Sequence, residues 1–187
     1  MIRQIPIGID DFRELREKNF EYVDKTHLIT EFLDRESIKV ILVPRPRRFG
    51  KSLNLSTLKW FFEKRDENLW HLFEDLHVAR AGDAYRKHFQ KYPVIHISFK
   101  ETKAESAEGC LIKARENVQA MYKSHRQALE GKLADEDLAK YRTILSGTAS
   151  QSSYESSLKY LTEWLHEVHG VRPIVLIDEY DAGIHGA

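Results

Sequence analysis

Apolar residues occur along this chain either in short continuous runs or at the helical spacing of about three and a half residues. Ile38–Val43, "IKVILV", is short, β-branched and almost continuously apolar, the pattern of a strand buried on both faces. Val94–Phe99, "VIHISF", and Ile174–Ile177 read the same way, the last following Pro173 and ending in Asp178-Glu179. Helical spacing fills the intervals. "IPIGIDDFRELREKN" runs from a loop into a short helix with Asp10 or Asp11 as its N-cap. "YVDKTHLITEFLDRES" carries Leu28, Ile29, Phe32 and Leu33 on one face. "SLNLSTLKWFFEKR" carries Leu53, Leu55, Leu58, Phe61 and Phe62. Residues 66–92 are aromatic-rich, irregular and helical, up to Pro93. "AESAEGCLIKARENVQAMYKSH" is a long helix, and "YESSLKYLTEWLHEVHG" is a helix stopped by Gly170. The polar stretch around 131–157 reads as a surface connection between helices. Strands alternating with helices predict an α/β fold built on a parallel sheet flanked by helices.

Composition narrows the picture without redirecting it. The 187 residues suffice for one domain with a core. Lys plus Arg and Asp plus Glu each total 29, so any affinity for nucleic acid must come from a local patch. The single cysteine, Cys110, excludes an internal disulfide framework and fits a reducing compartment. No apolar run approaches the roughly 20 residues needed to span a bilayer. "MIRQIPIGIDDF" lacks the apolar middle of a secretory signal, so the expected location is cytoplasmic.

Chemistry enters at "VILVPRPRRFGKSLNLSTL". Gly50-Lys51-Ser52 closes a phosphate-binding loop pattern and lies between an apolar strand and a helix, the context such a match requires. In that chemistry the backbone N–H groups curl around phosphates, Lys51 reaches the β- and γ-phosphates, and the Ser52 hydroxyl binds Mg²⁺. Arg45 stands where the usual first glycine would be, with Pro44 and Pro46 available to set the turn by another route. Arg45, Arg47 and Arg48 could contact phosphate or a nucleic-acid backbone, or be solvated; their clustering favours phosphate contact by at least one. The candidate nucleotide-binding set is Arg45, Arg47, Arg48, Phe49, Gly50, Lys51, Ser52 and Leu53. Far downstream, "IVLIDE" places Asp178 at a strand tip, where a carboxylate holds the Mg²⁺ shell, and Glu179 beside it to activate water. Lys51 and Glu179 are thus the candidate catalytic pair, and Ser52 and Asp178 the candidate metal ligands. A nuclease metal site at Asp178, Glu179 and Asp181 lacks a partner lysine and acid at suitable spacing. His96, His166 and His169 read as packing or surface residues, and Trp60, Trp70 and Trp164 as core.

Taken together, "IPIGIDDFRELREKNFEYVDKTHLI", "VPRPRRFGKSLNLSTL", "VIHISFKETKAES" and "IVLIDEYDAGI" resemble the AAA-ATPase-like family of P-loop proteins. That family often carries a following PD-(D/E)XK nuclease-like domain. The resemblance spans nearly the whole chain. It implies a P-loop NTPase fold, ATP and Mg²⁺ as cofactors, and ATP hydrolysis if the domain is complete enough. It also implies that Arg45 is a family trait and that "YVDKT", Tyr22–Thr26, belongs to an N-terminal signature. ATP over GTP rests on it too, since no Asn-Lys-x-Asp motif is present. Residues 1–37 then form an entry segment and 38–187 an ATPase domain. The family's central strand and later elements would follow residue 187, leaving unpaired sheet edges and possible contacts to nucleic acid or a partner protein in that missing region. The alternative function is a non-catalytic fragment that binds nucleotide, nucleic acid or a partner protein.

Overall fold

The computed structural model describes residues 4–35, 39–43, 49–100 and 106–179. The chain forms two compact units, residues 1–92 and 93–187.

In the first unit, α1 (Phe12–Glu17), α2 (His27–Asp34) and α3 (Lys51–Phe62) are followed by a 3₁₀ turn (Trp70–Leu72) and the short helices α4 (His77–Arg80) and α5 (Asp83–Arg86). Phe12, Phe61, Phe62 and Phe73 lie fully buried at its centre. Phe12 stacks on Phe73 at 4.7 Å, and Phe61 meets Phe62, Phe73 and Phe89 edge-on at 5.0–5.5 Å. Such pairs add about 0.5–1.5 kcal/mol each beyond their buried area.

Asp11 is the N-cap of α1, accepting from the Glu14 N–H at 2.9 Å. Its other oxygen accepts from the Trp60 indole at 2.8 Å and the Ser56 hydroxyl at 3.1 Å, and Ser56 in turn accepts from the Phe12 N–H. Burial works to raise the Asp11 pKa, but these hydrogen bonds outweigh it and hold the carboxyl below its ordinary value. One carboxylate thereby ties the entry segment to α3.

Two sequence expectations change here. The buried stripe of α3 runs through Asn54, Thr57, Leu58 and Phe61, while Leu53 and Leu55 are only half-buried. Polar groups reach the inner face because Ser56 serves Asp11 and the Thr57 hydroxyl bonds back to the Leu53 carbonyl at 2.8 Å. The expected strand Ile38–Val43 is not present over its described part, residues 39–43. An apolar run becomes a strand only when a neighbour pairs with it. Among the described residues the ladder and bridge partners are β1 with β2 and Glu63 with Tyr92, so Val40 and Leu42 stay 82% and 61% exposed.

In the second unit, β1 (Val94–Ser98) leads through α6 (Ala107–Ser124), α7 (Arg126–Leu129), α8 (Asp135–Ser146), α9 (Gln151–Glu155) and α10 (Ser157–His169) to β2 (Ile174–Asp178). The strands pair in parallel, with Val94 opposite Ile174 and Ser98 opposite Asp178. A parallel pair needs a long crossover, and the five helices supply it. They bury Ile95 and Ile97 against Tyr122, Tyr141, Leu161, Trp164 and Leu165. The Tyr122 hydroxyl donates to the Ser157 carbonyl, and the Tyr141 hydroxyl to the Tyr122 carbonyl, both at 2.9 Å. Burial pushes both phenols up, that of Tyr141 to about 12. Gly170 ends α10 at φ +68°, a left-handed conformation suited to glycine.

The stretch 131–157 is not a plain surface connection. It holds α8 and α9, whose Tyr141, Ile144 and Tyr154 enter the core. β2 is covered on one face only: Leu176 and Asp178 are buried, whereas Val175 and Ile177 are exposed. Among the described residues no helix is long and apolar enough to cross a membrane.

Candidate functional site

Gly50 is the N-cap residue of α3 and has φ +70°, ψ +32°. A side chain is costly in that left-handed conformation, which explains the glycine before Lys51. The helix then starts at Lys51, so the free N–H groups of its first turn and the positive end of its dipole lie at Gly50-Lys51-Ser52. No side chain caps this end. Lys51, Ser52 and Leu53 are half-buried, and Phe49 is 56% exposed. Arg45, Arg47 and Arg48 lie outside the described residues.

"YVDKT" reaches the same place. Asp24 accepts from both the Thr26 N–H (2.9 Å) and hydroxyl (2.7 Å). Its second oxygen accepts from the His77 N–H at 2.6 Å, and the Thr26 hydroxyl accepts from the Val78 N–H at 3.1 Å. These bonds satisfy the start of α4 and clamp the turn. Burial would raise the Asp24 pKa; hydrogen bonds from Thr26 and His77, with Arg80 nearby, hold it down instead. Between these two anchors, Lys25 points toward the glycine: a Cβ built on Gly50 would lie 3.7 Å from the Lys25 ammonium nitrogen. Among the described residues neither the Lys25 nor the Lys51 ammonium has an ion pair or hydrogen bond. Lys25 belongs to no chemical motif of its own. The alternation of Asp and Thr around it was the available signal, since both are residues that fix turns through local hydrogen bonds.

The acidic pair belongs to the second unit. Asp178 closes β2 at 6% exposure. Its backbone carbonyl accepts from the Phe99 N–H and its Oδ1 from the Glu179 N–H, both at 3.0 Å. Glu179 has φ +49°, a conformation in which a non-glycine residue stores strain. The Asn117 amide, donating to the Ser98 carbonyl at 3.1 Å, braces the end of the adjacent strand. Ser52 lies in the first unit and Asp178 in the second, and each presents a hard oxygen donor.

The family described as "AAA-ATPase_like: Predicted AAA-ATPase" matches residues 6–186. A protein of Azotobacter chroococcum mcd 1, described as "Uncharacterized protein in vnfD 5'region", is 33% identical over 183 residues. That alignment takes in 97% of this chain and 30% of the relative, so the chain spans about a third of the relative's length. No solved structure matches.

Proposed function

Because the chain belongs to the AAA-ATPase-like family, we propose that it is a P-loop ATPase that binds ATP with Mg²⁺ and hydrolyses it. The loop ending in Gly50-Lys51-Ser52 is its Walker A segment and Ile174–Glu179 its Walker B segment. The observation that carries this reading is the start of α3, an uncapped helix N-terminus behind a left-handed glycine that a lysine ammonium approaches. The Lys25 ammonium approaches the uncapped N-terminus of α3, whose first residue is Lys51, and among the described residues neither lysine has an ion pair. Like charges around a positive dipole end repel one another, and a polyphosphate reverses the sign of that interaction.

In this reading the N–H groups of the first turn of α3 and Lys51 bind the β- and γ-phosphates. Lys25 adds a second cation from outside the loop, and Arg45, Arg47 and Arg48 supply at least one more phosphate contact. Ser52, through its hydroxyl, and Asp178, through the water shell, would hold Mg²⁺, which would supply charge neutralisation to the phosphoryl oxygens. Glu179 accepts a proton from the attacking water. Its backbone, at positive φ and tied through its N–H to the Asp178 carboxylate, follows directly on the strand end.

Glu179→Gln tests the assignment. Single-turnover measurements with Mg²⁺-ATP are expected to show hydrolysis reduced about 100-fold or more, with ATP affinity kept. Hydrolysis at the native rate in that variant removes Glu179 from its role. A native chain that binds no ATP overturns the proposal, and one that binds without turnover reduces it to a nucleotide-binding module.

A further inference from the structure

Resting on the nucleotide reading, we propose that the cleft lined by Lys25, His27, Leu28, Glu31, Val43 and Asn54 receives the nucleoside end of the ligand, and that the Asn54 carboxamide selects adenine over guanine. The cleft has a volume of about 280 Å³. Pockets for whole small ligands begin at about 300 Å³, so this one suits a base with its sugar and not a complete nucleoside triphosphate. Its wall is mixed in the way a base requires: Leu28 and Val43 offer apolar surface to the ring faces, and His27, Glu31 and Asn54 offer polar atoms to the edges.

Asn54 carries the assignment. It is 6% exposed, and among the described residues its carboxamide has no hydrogen-bond partner. The residue is buried as a whole, but its amide atoms are not among the buried unpartnered ones, so they reach the cleft that Asn54 lines and offer a donor and an acceptor to a partner that enters there. Its place in the helix agrees. The Asn54 N–H donates to the Gly50 carbonyl at 2.9 Å, so it sits one turn beyond the phosphate loop. One turn advances about 5.4 Å, close to the span of the sugar that separates phosphate from base. Lys25, which lines the cleft and also approaches Gly50, marks where the phosphates give way to the nucleoside.

The chemistry of a carboxamide then sets the base. It offers one donor and one acceptor side by side, which matches the N7 acceptor and N6 amino donor of adenine. Guanine presents acceptors at both N7 and O6, so one of the two bonds is lost and a buried carbonyl is left facing an oxygen.

The test compares three probes, Mg²⁺-ATP, Mg²⁺-GTP and inorganic tripolyphosphate, on the native chain and on Asn54→Leu by equilibrium binding. The native chain is expected to favour ATP over GTP by about tenfold. Asn54→Leu is expected to lose that preference and about tenfold in ATP affinity, with tripolyphosphate binding unchanged. Leu28→Trp, which fills the cleft from a half-buried position, is expected to weaken ATP while sparing tripolyphosphate, and serves if Asn54→Leu does not fold. Equal loss of ATP and tripolyphosphate in both variants, or ATP affinity unchanged in both, overturns the proposal. A native chain that binds tripolyphosphate as tightly as ATP overturns the nucleoside pocket and leaves the phosphate site standing. One that binds neither overturns both.

Discussion

Replacing Lys51 by alanine is expected to lower ATP affinity by about 100-fold or more while leaving thermal stability where it was. A charged hydrogen bond is worth about 1.5–3 kcal/mol, and an ammonium reaching two phosphates makes more than one. The stability half follows from the structure. Lys51 is the first residue of α3, alanine is the best helix former, and among the described residues the ammonium has no partner to lose. Isothermal titration of the variant, set beside its melting curve, checks both halves. Unchanged affinity would remove Lys51 from the phosphate site. A large loss of stability would give it a structural role that its surroundings do not show.

Trp164→Ala has the other large expected effect, on folding. Trp164 is buried in the second unit, stacked on Tyr160 at 5.7 Å and edge-on to Tyr122 and Tyr141 at 6.2 Å each. Removing an indole from such a position costs about 3–5 kcal/mol in lost transfer energy and cavity formation. Near-ultraviolet circular dichroism during thermal melting is expected to show a midpoint lowered by about 10 °C or more. A shift of a degree or two would mean that the second unit is held together elsewhere.

Much of this architecture was legible in the sequence, and the misses share a cause. Val94–Ser98 and Ile174–Asp178 lie within a residue of their expected spans and α6 and α10 within three, because each has a clear period or a hard stop such as Pro93, Gly170 or Pro173. "IKVILV" misled because its composition describes a strand, whereas its pairing depends on a neighbour that composition does not specify. In 131–157 the serines and charges of the outer faces hid Tyr141, Ile144 and Tyr154, widely spaced inward residues on two short helices.

The candidate site shows the same division. Gly50-Lys51-Ser52 was readable because the chemistry is local: a left-handed glycine, then a cation and a hydroxyl at a helix start. Lys25 was not, since its approach to Gly50 is made by Asp24 and Thr26 fastening a turn to α4, more than 50 residues away in sequence. Asn54 left a usable trace. Counted as i, i+3, i+4 and i+7, the inward stripe of α3 is Asn54, Thr57, Leu58 and Phe61. A polar residue at an inward position is the unusual observation, and choosing the more apolar Leu53 and Leu55 passes over it.

The central proposal is that Ser52 and Asp178 are both needed for the Mg²⁺ dependence of ATP binding. A double-mutant cycle measures this directly: the gain in ATP affinity on adding Mg²⁺, compared among the native chain, Ser52→Ala, Asp178→Asn and the double variant. A joint requirement gives strong non-additivity, with either single change removing most of the gain and the second adding little. A Mg²⁺ gain that survives intact in Asp178→Asn, or two losses that simply add, would contradict it.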